Sequence, residues 1–304
     1  MQAISGHLPD PTAMPHPTLC IAWYSILGVP IAIESNVATA LQRVDETYAA
    51  FRAAGPHESA LVLRLQQLDD MAYLVADAAG ARHWPSYEGA LLDLFDRLVH
   101  ALLGRLLAQG IYAIHAAALV YRGEALLLAG RSRQGKTTLA LGLVRRGLGL
   151  LSDELAVIEP ITQRIVPYRR SLHIRPGTPE LIPELGFLHD RPRHQLGGGI
   201  EWALAPGDLE RVFPGCLGQA APLRSVLLLD GGPHDDAPPA LTPLPAAVAA
   251  LELLRGTWAA SMNFEGGLTQ VGRLLDGVAC ARLRSGGLEA TVERVISWLE
   301  ANGG

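Results

Sequence analysis

Apolar positions along the chain switch between a period of two and a period near 3.6. "CIAWYSILGVPIAIES" (20–35) predicts two short strands around Gly28-Val29-Pro30. The next stretch places Val37, Leu41, Val44, Tyr48 and Phe51 at helical spacing. "ALVLRLQQLDDMAYLVADAAG" (60–80) predicts a hairpin turning at Asp69-Asp70. "SYEGALLDLFDRLVHALLGRLLAQG" (86–110) predicts a long amphipathic helix, with Ser86 as N-cap, Glu88 in the first turn and Gly110 as its stop. "YAIHAAALVYRGEALLLAG" (112–130) offers two extended segments joined at Arg122-Gly123. The second is almost unbroken in apolar residues, as a strand buried on both faces would be.

Beyond this lie a helix to Arg146 stopped by Gly147, and "LGLLSDELAVIEP" (148–160), read as one further strand. The last third adds a Gly/Pro-rich stretch (176–199), a strand "RSVLLLDGG", a Pro-rich surface loop (231–245), and helices near 245–260 and 287–301. The expected organisation is a flexible tail (1–18), a small N-terminal α/β domain (19–85) and a larger α/β domain (86–304).

Composition narrows the function classes. The 304 residues are 49% hydrophobic and 18% charged, which excludes a disordered chain. A net charge of −5 speaks against a nucleic-acid or anionic-membrane binder. Cys20, Cys216 and Cys280 are widely spaced and form no CxxC, as expected for buried or partly buried thiols in a reducing compartment. The N-terminus lacks the basic and apolar regions of a signal peptide, and no apolar run reaches the roughly 18 residues of a membrane span. The expected location is the cytoplasm.

Of the 25 Lys and Arg residues only one is lysine, Lys136. It stands in Gly130-Arg131-Ser132-Arg133-Gln134-Gly135-Lys136-Thr137-Thr138, which fits the phosphate-loop pattern G-x-x-x-x-G-K-[ST]. A buried strand precedes this loop and a helix follows it. In that setting backbone N–H groups and the helix N-terminus can surround phosphates. An ammonium is a compact charge on a flexible stem, whereas a guanidinium is a broad planar fork. Lysine therefore persists where arginine cannot replace it. Thr137 is placed to offer its hydroxyl to Mg²⁺. Arg131 and Arg133 can touch phosphates or stand solvated.

A phosphate loop alone implies binding and no reaction. Asp153-Glu154 follows Thr137 by sixteen positions, after one helix and one strand. Carboxylates there can hold Mg²⁺ or take a proton from an attacking hydroxyl. His115 stands among apolar residues upstream of the loop, where a lone histidine can equally be a core residue.

Residues 114–154, "IHAAALVYRGEALLLAGRSRQGKTTLALGLVRRGLGLLSDE", resemble the HPr kinase/phosphorylase family and its bacterial relatives found beside peptide-modification genes. The resemblance rests on the order of a His-led segment, strand, phosphate loop, helix ending near Arg-Gly, and acidic pair. A looser likeness covers roughly 100–304. It implies a P-loop kinase core of the HPr kinase/PEP carboxykinase-like type. The implied activity moves the γ-phosphoryl group of ATP to a serine hydroxyl of a peptide or protein.

By position, Lys136 and the loop amides would bind the β/γ phosphates, and Thr137 Mg²⁺. Asp153 would be the base, Glu154 would support the metal or orientation, and His115 would lie near the transferring group. The family's acidic pair is usually Asp-Asp. Its later Leu-Glu-Ile-Arg-Gly is Leu172-His173-Ile174-Arg175-Pro176 here, so His173 replaces a carboxylate, which puts a second metal and a reverse reaction in doubt. Arg175 is kept as a phosphate or transition-state cation; Arg169 and Arg170 are equally available. Residues 191–199, with Arg191, Arg193 and His194 before three glycines, suggest a mobile cationic lid.

The leading expectation is a Mg-ATP-dependent serine kinase for a peptide or protein, including a tailoring role on a ribosomally made (lasso-type) peptide. Alternatives are a small-molecule hydroxyl kinase, a non-catalytic nucleotide sensor, and a simple ATP hydrolase. A homo-oligomer is compatible with each, and the sequence fixes no subunit count.

Overall fold

The computed structural model describes residues 18–69, 72–196, 199–230, 237–255 and 264–302. Nearly all of the expected tail, Asp70 of the expected hairpin turn, two glycines of the expected lid (197 and 198) and part of the Pro-rich loop (231–236) lie outside them. The chain is a mixed α/β protein with three sheets.

The first sheet runs in sequence order through β1 (Cys20–Ile26), β2 (Val29–Ser35), β3 (Leu61–Asp69), β4 (Ala72–Asp77) and β5 (Gly80–Trp84). Only β2 and β3 are parallel, and α1 (Ala38–Tyr48) makes the crossover between them. The long helix α2 (Tyr87–Ala108) begins where expected, with the Ser86 hydroxyl accepting the N–H of Gly89 at 3.3 Å. Its buried Leu94, Leu98 and Leu102 join Val44 and Tyr48 of α1 in one core with Ile31, Ile33, Leu63 and Leu65 of the sheet. Thus α2 lays its apolar stripe on the N-terminal sheet.

The second sheet is built on β6 (Tyr112–Tyr121) and β7 (Glu124–Ala129), which are antiparallel. After the loop 130–135 and α3 (Lys136–Arg145) come β8 (Gly149–Ser152), β9 (Leu155–Ile158) and β10 (Arg164–Val166). The segment 148–160 is two strands where one was expected. The Ser152 hydroxyl accepts the N–H groups of Glu154 at 3.2 Å and Leu155 at 3.0 Å, and this local turn breaks the ladder at Asp153-Glu154. Both halves still pair with β6.

A small sheet follows, of β11 (Leu172–Ile174), β12 (His194–Leu196) and β13 (Gly199–Leu204), with β13 central. Short α4 (Thr178–Leu181) lies between β11 and β12, and α5 (Pro206–Val212) follows β13. The chain then re-enters the large sheet as β14 (Ala221–Asp230), parallel to β7. β15 (Ala240–Pro243) lies inside the stretch expected as a surface loop, and pairs antiparallel with β16 (Ala279–Arg284). Strand pairing holds this Pro-rich segment because Pro243, its one proline, is the last residue of the strand.

Helices cover both faces of the large sheet. On one, α3 and α8 (Leu288–Asn302) pack through Leu139, Leu143, Val292 and Val295. On the other lie α6 (Ala246–Arg255) and α7 (Phe264–Leu274), through Leu253, Leu254 and Val271. Helix α7 and strands β10–β13 were not foreseen in the sequence. Among the described residues no helix is long and apolar enough to cross a membrane. All three cysteines are free; Cys216 and Cys280 are buried as expected, but Cys20 is exposed at the start of β1.

The strand that delivers the acidic pair is gripped at its start. The N–H of Leu150 donates to the carbonyl of Cys216 at 2.6 Å, and the N–H of Gly218 donates back to Leu150 at 2.9 Å. A Cβ on Gly149 would stand 2.8 Å from the Gly218 Cα, and backbone cannot swing aside as a side chain can. Gly149→Ala is expected to lower stability by about 1–3 kcal/mol, the usual cost of overpacking. Chemical denaturation of the two proteins side by side checks this.

Candidate functional site

Strand β7 ends at Ala129 and α3 begins at Lys136, so residues 130–135 are a tight strand-to-helix loop. Two glycines make its path possible. Gly135 adopts φ +82°, the left-handed region that glycine enters without strain. A Cβ on Gly130 would lie 2.5 Å from the side-chain oxygen of Gln134, which accepts the N–H of Arg131 at 2.6 Å. Arg133 also has a positive φ of 69°, unusual for a residue with a side chain. The loop is therefore closed on itself, and it presents the N-terminus of α3, where unpaired N–H groups favour an anion.

Lys136 is buried, and its ammonium donates to the carbonyls of Gly130 at 2.7 Å and Arg131 at 3.1 Å. Burial lowers its pKa, while the charges of Glu154 and Asp153 act in the opposite direction. Those carboxylates arrive from the break between β8 and β9. On β6, His115 is the register partner of Leu155, so it stands beside the acidic pair. Burial pushes the His115 imidazole below its usual value, and the charge of Lys136 adds to this.

Arg170, offered by the sequence only as an equal of Arg169, is the central cation. Its guanidinium is buried, pairs with the Glu154 carboxylate and lies 3.6 Å from Asp153. Burial alone would lower the pKa of Arg170, but Glu154 and Asp153 more than reverse this. Glu154 shows the converse balance. Burial favours its neutral form, yet Arg170, His115, His173 and Lys136 together hold its carboxyl below the ordinary value. For Asp153 burial prevails over Arg170 and raises the pKa, with Glu154 adding to the rise. Arg169 points elsewhere and donates to the Gly218 carbonyl at 2.7 Å.

A cleft of about 210 Å³ collects most of the expected residues. Lys136, Thr137, Asp153, Glu154, His115 and Arg175 all line it. Ser132, Arg133, Gly135 and Thr138 form its loop side, and the Thr138 hydroxyl meets that of Thr178, at the start of α4, at 3.0 Å. Gly130, Arg131 and Gln134 instead line an adjoining cavity of about 750 Å³, which shares His115 and Ser132 with the cleft. A larger groove of about 980 Å³ lies apart from both, between β3 and α2.

Two cleft residues were not foreseen as a pair. His173 was read as the loss of a carboxylate, and Glu201 was not singled out. Glu201 is buried on β13, and its carboxylate meets Nδ1 of His173 at 2.5 Å. The one signal in the sequence is a charged residue beside Trp202 in an otherwise apolar strand. The expected cationic lid is differently employed: Arg191 pairs with Asp208, and Arg193 lies 4.8 Å over the Trp202 ring.

The donor set suits Mg²⁺. Thr137 and the acidic pair supply hard oxygens, and Mg²⁺ takes one or two carboxylates together with phosphate oxygens and waters. Among the described residues no three His, Cys, Asp or Glu side chains are grouped as an all-protein cage. Buried nitrogens of two cleft residues, Arg170 Nε and His173 Nε2, have no hydrogen-bond partner among the described residues.

No protein-family model matches this chain, and no curated protein does. Among solved structures, the Hpr(Ser) kinase/phosphatase from Coxiella burnetii is similar at 14% sequence identity and a TM-score of 0.30. The match covers 62% of this chain and 97% of that one.

Arg170 gives a test of the electrostatics. Arg170→Met is expected to cost about 3 kcal/mol at pH 7–8, because two adjacent carboxylates lose their buried counter-charge. In the parent protein the depressed Glu154 carboxyl stabilises the fold above a pH of about 4, and that contribution fades as pH falls through its lowered value. The variant's deficit should therefore shrink as pH falls below about 4, which unfolding curves at pH 8 and at several points below pH 4 would show.

Proposed function

We propose that the protein is a Mg-ATP-dependent phosphotransferase that moves the γ-phosphoryl group to a hydroxyl, with a serine of a peptide or protein as the leading acceptor. The observation that carries this is the meeting, in one cleft, of the loop lysine, the acidic pair and a buried arginine. A binding-only site needs the loop and its helix. The acidic pair and its cation add what phosphoryl transfer needs, charge neutralisation and a place for the acceptor's proton.

In this proposal Lys136 and the loop amides hold the phosphates, and Thr137, Asp153 and Glu154 hold Mg²⁺. Bound Mg²⁺ would neutralise charge on the phosphate oxygens during transfer. Arg175, exposed at the cleft edge, and Arg170, buried within it, supply cations for the transferring group. Asp153 is the residue to which the family resemblance assigns the acceptor proton.

The experiment is mass spectrometry of serine-containing peptides, beginning with any short peptide encoded beside the gene, after incubation with the protein and Mg-ATP. A phosphoryl-sized gain on serine, lost in Lys136→Ala and Asp153→Asn, is the expected result. Lys136→Ala should also weaken nucleotide binding about 10- to 100-fold, the worth of a charge-assisted hydrogen bond, as titration calorimetry can read. Binding that depends on Lys136 without any peptide product would favour a small-molecule acceptor or a nucleotide sensor. No nucleotide binding at all would remove the proposal.

A further inference from the structure

His173 and Glu201 reach the cleft from neighbouring strands. In the antiparallel pair of β11 and β13, His173 stands opposite Ala203, so Glu201 is its diagonal neighbour on the same face. The two side chains meet at 2.5 Å through Nδ1. Glu201 is buried, and the histidine side chain is only 19% exposed. Glu201 is itself opposite His194 on β12, and His194 is turned to Glu46 of α1 at 3.2 Å. The carboxylate of Glu201 is thus committed to His173.

In the neutral ring a carboxylate on Nδ1 keeps the proton on that nitrogen, and Nε2 then carries the lone pair. Here Nε2 is shielded from solvent and has no partner among the described residues. A buried acceptor left empty is costly, so its retention points to a ligand that donates to it. Inside this cleft the two carboxylates of the acidic pair are engaged. Glu154 is paired with Arg170, and Asp153 lies 3.6 Å from the same guanidinium.

We infer that His173, oriented by Glu201, takes the proton of the acceptor hydroxyl at Nε2. This rests on the phosphotransfer reading above and moves the proton from Asp153 to His173 within it. The hydroxyl oxygen forms a new bond to the γ-phosphorus while the bond from that phosphorus to the leaving diphosphate oxygen breaks. The hydroxyl proton goes to Nε2, and the resulting imidazolium is neutralised by the Glu201 carboxylate. Asp153 and Glu154 keep the metal and Arg170. His173 is then the catalytic residue, and Glu201 a positioning residue acting through it.

Two measurements on the full chain test this. The first is the ring tautomer of His173, read by two-bond ¹H–¹⁵N correlation with all ten histidines labelled and assigned. A neutral ring with its proton on Nδ1 is expected, with that preference lost in Glu201→Gln. A proton on Nε2 in the parent protein overturns the inference, whatever the turnover. The second is phosphate release from Mg-ATP, with water as the probe acceptor. His173→Gln and His173→Asn should lower kcat about 100-fold, within the range of general-base effects, and leave KM for ATP within about threefold. Unchanged kcat in either folded variant overturns the inference and leaves the phosphotransfer reading standing. A parent protein that binds no Mg-ATP removes both.

Discussion

Arg170 is buried against two consecutive carboxylates, and most of the cleft is arranged around that contact. The guanidinium keeps Glu154 charged at a depth where a carboxylate alone would favour its neutral form. It does not do the same for Asp153, which is 3.6 Å away and whose burial dominates. Two adjacent residues of similar chemistry thereby hold their protons differently, because one of them has the closer share of a single cation. The backbone makes this division possible. Ser152 turns the chain between β8 and β9, so that Asp153 and Glu154 interrupt a ladder that resumes at Leu155.

Around this pair the loop side and the small-sheet side contribute in complementary ways. The loop offers backbone amides, a helix N-terminus and one ammonium, all suited to anions. The small sheet offers an imidazole with a carboxylate behind it. Neither side alone brings the anion-binding loop and the imidazole–carboxylate pair together. The cleft between them does, and residues from β6, the loop, α3, the β8–β9 break and β11 to β13 converge there.

Local features of the sequence were the legible ones. The cap at Ser86, the breaks at Gly110 and Gly147, the apolar run of β7 and the loop glycines each act through neighbours within a few residues, and each is visible in the chain. For His115 the chain left a core role open, and only the family resemblance put it near the transferring group. What could not be read depends on partners distant in sequence. Arg169 and Arg170 are chemically alike, and only the Gly218 carbonyl, 49 residues away, and the acidic pair separate their roles. Glu201 lies 28 residues from His173 on a strand whose register alone brings them together. The partners of the expected lid's arginines were not legible either, because charge composition does not reveal that an aromatic ring lies beneath Arg193.

The N-terminal unit does more than precede the cleft. The carbonyl of Thr47, in α1, accepts the N–H of Ser171 at 2.8 Å, and Ser171 stands between Arg170 and the strand that carries His173. Glu46, one residue earlier, meets His194. One turn of the helix that covers the first sheet therefore serves as a wall behind the cleft. A tilt of α1 would reach Ser171, next to Arg170, through that main-chain hydrogen bond. Exchanging this unit for an unrelated one would not leave the cleft as it is. It would give a cleft whose arginine had lost its backing.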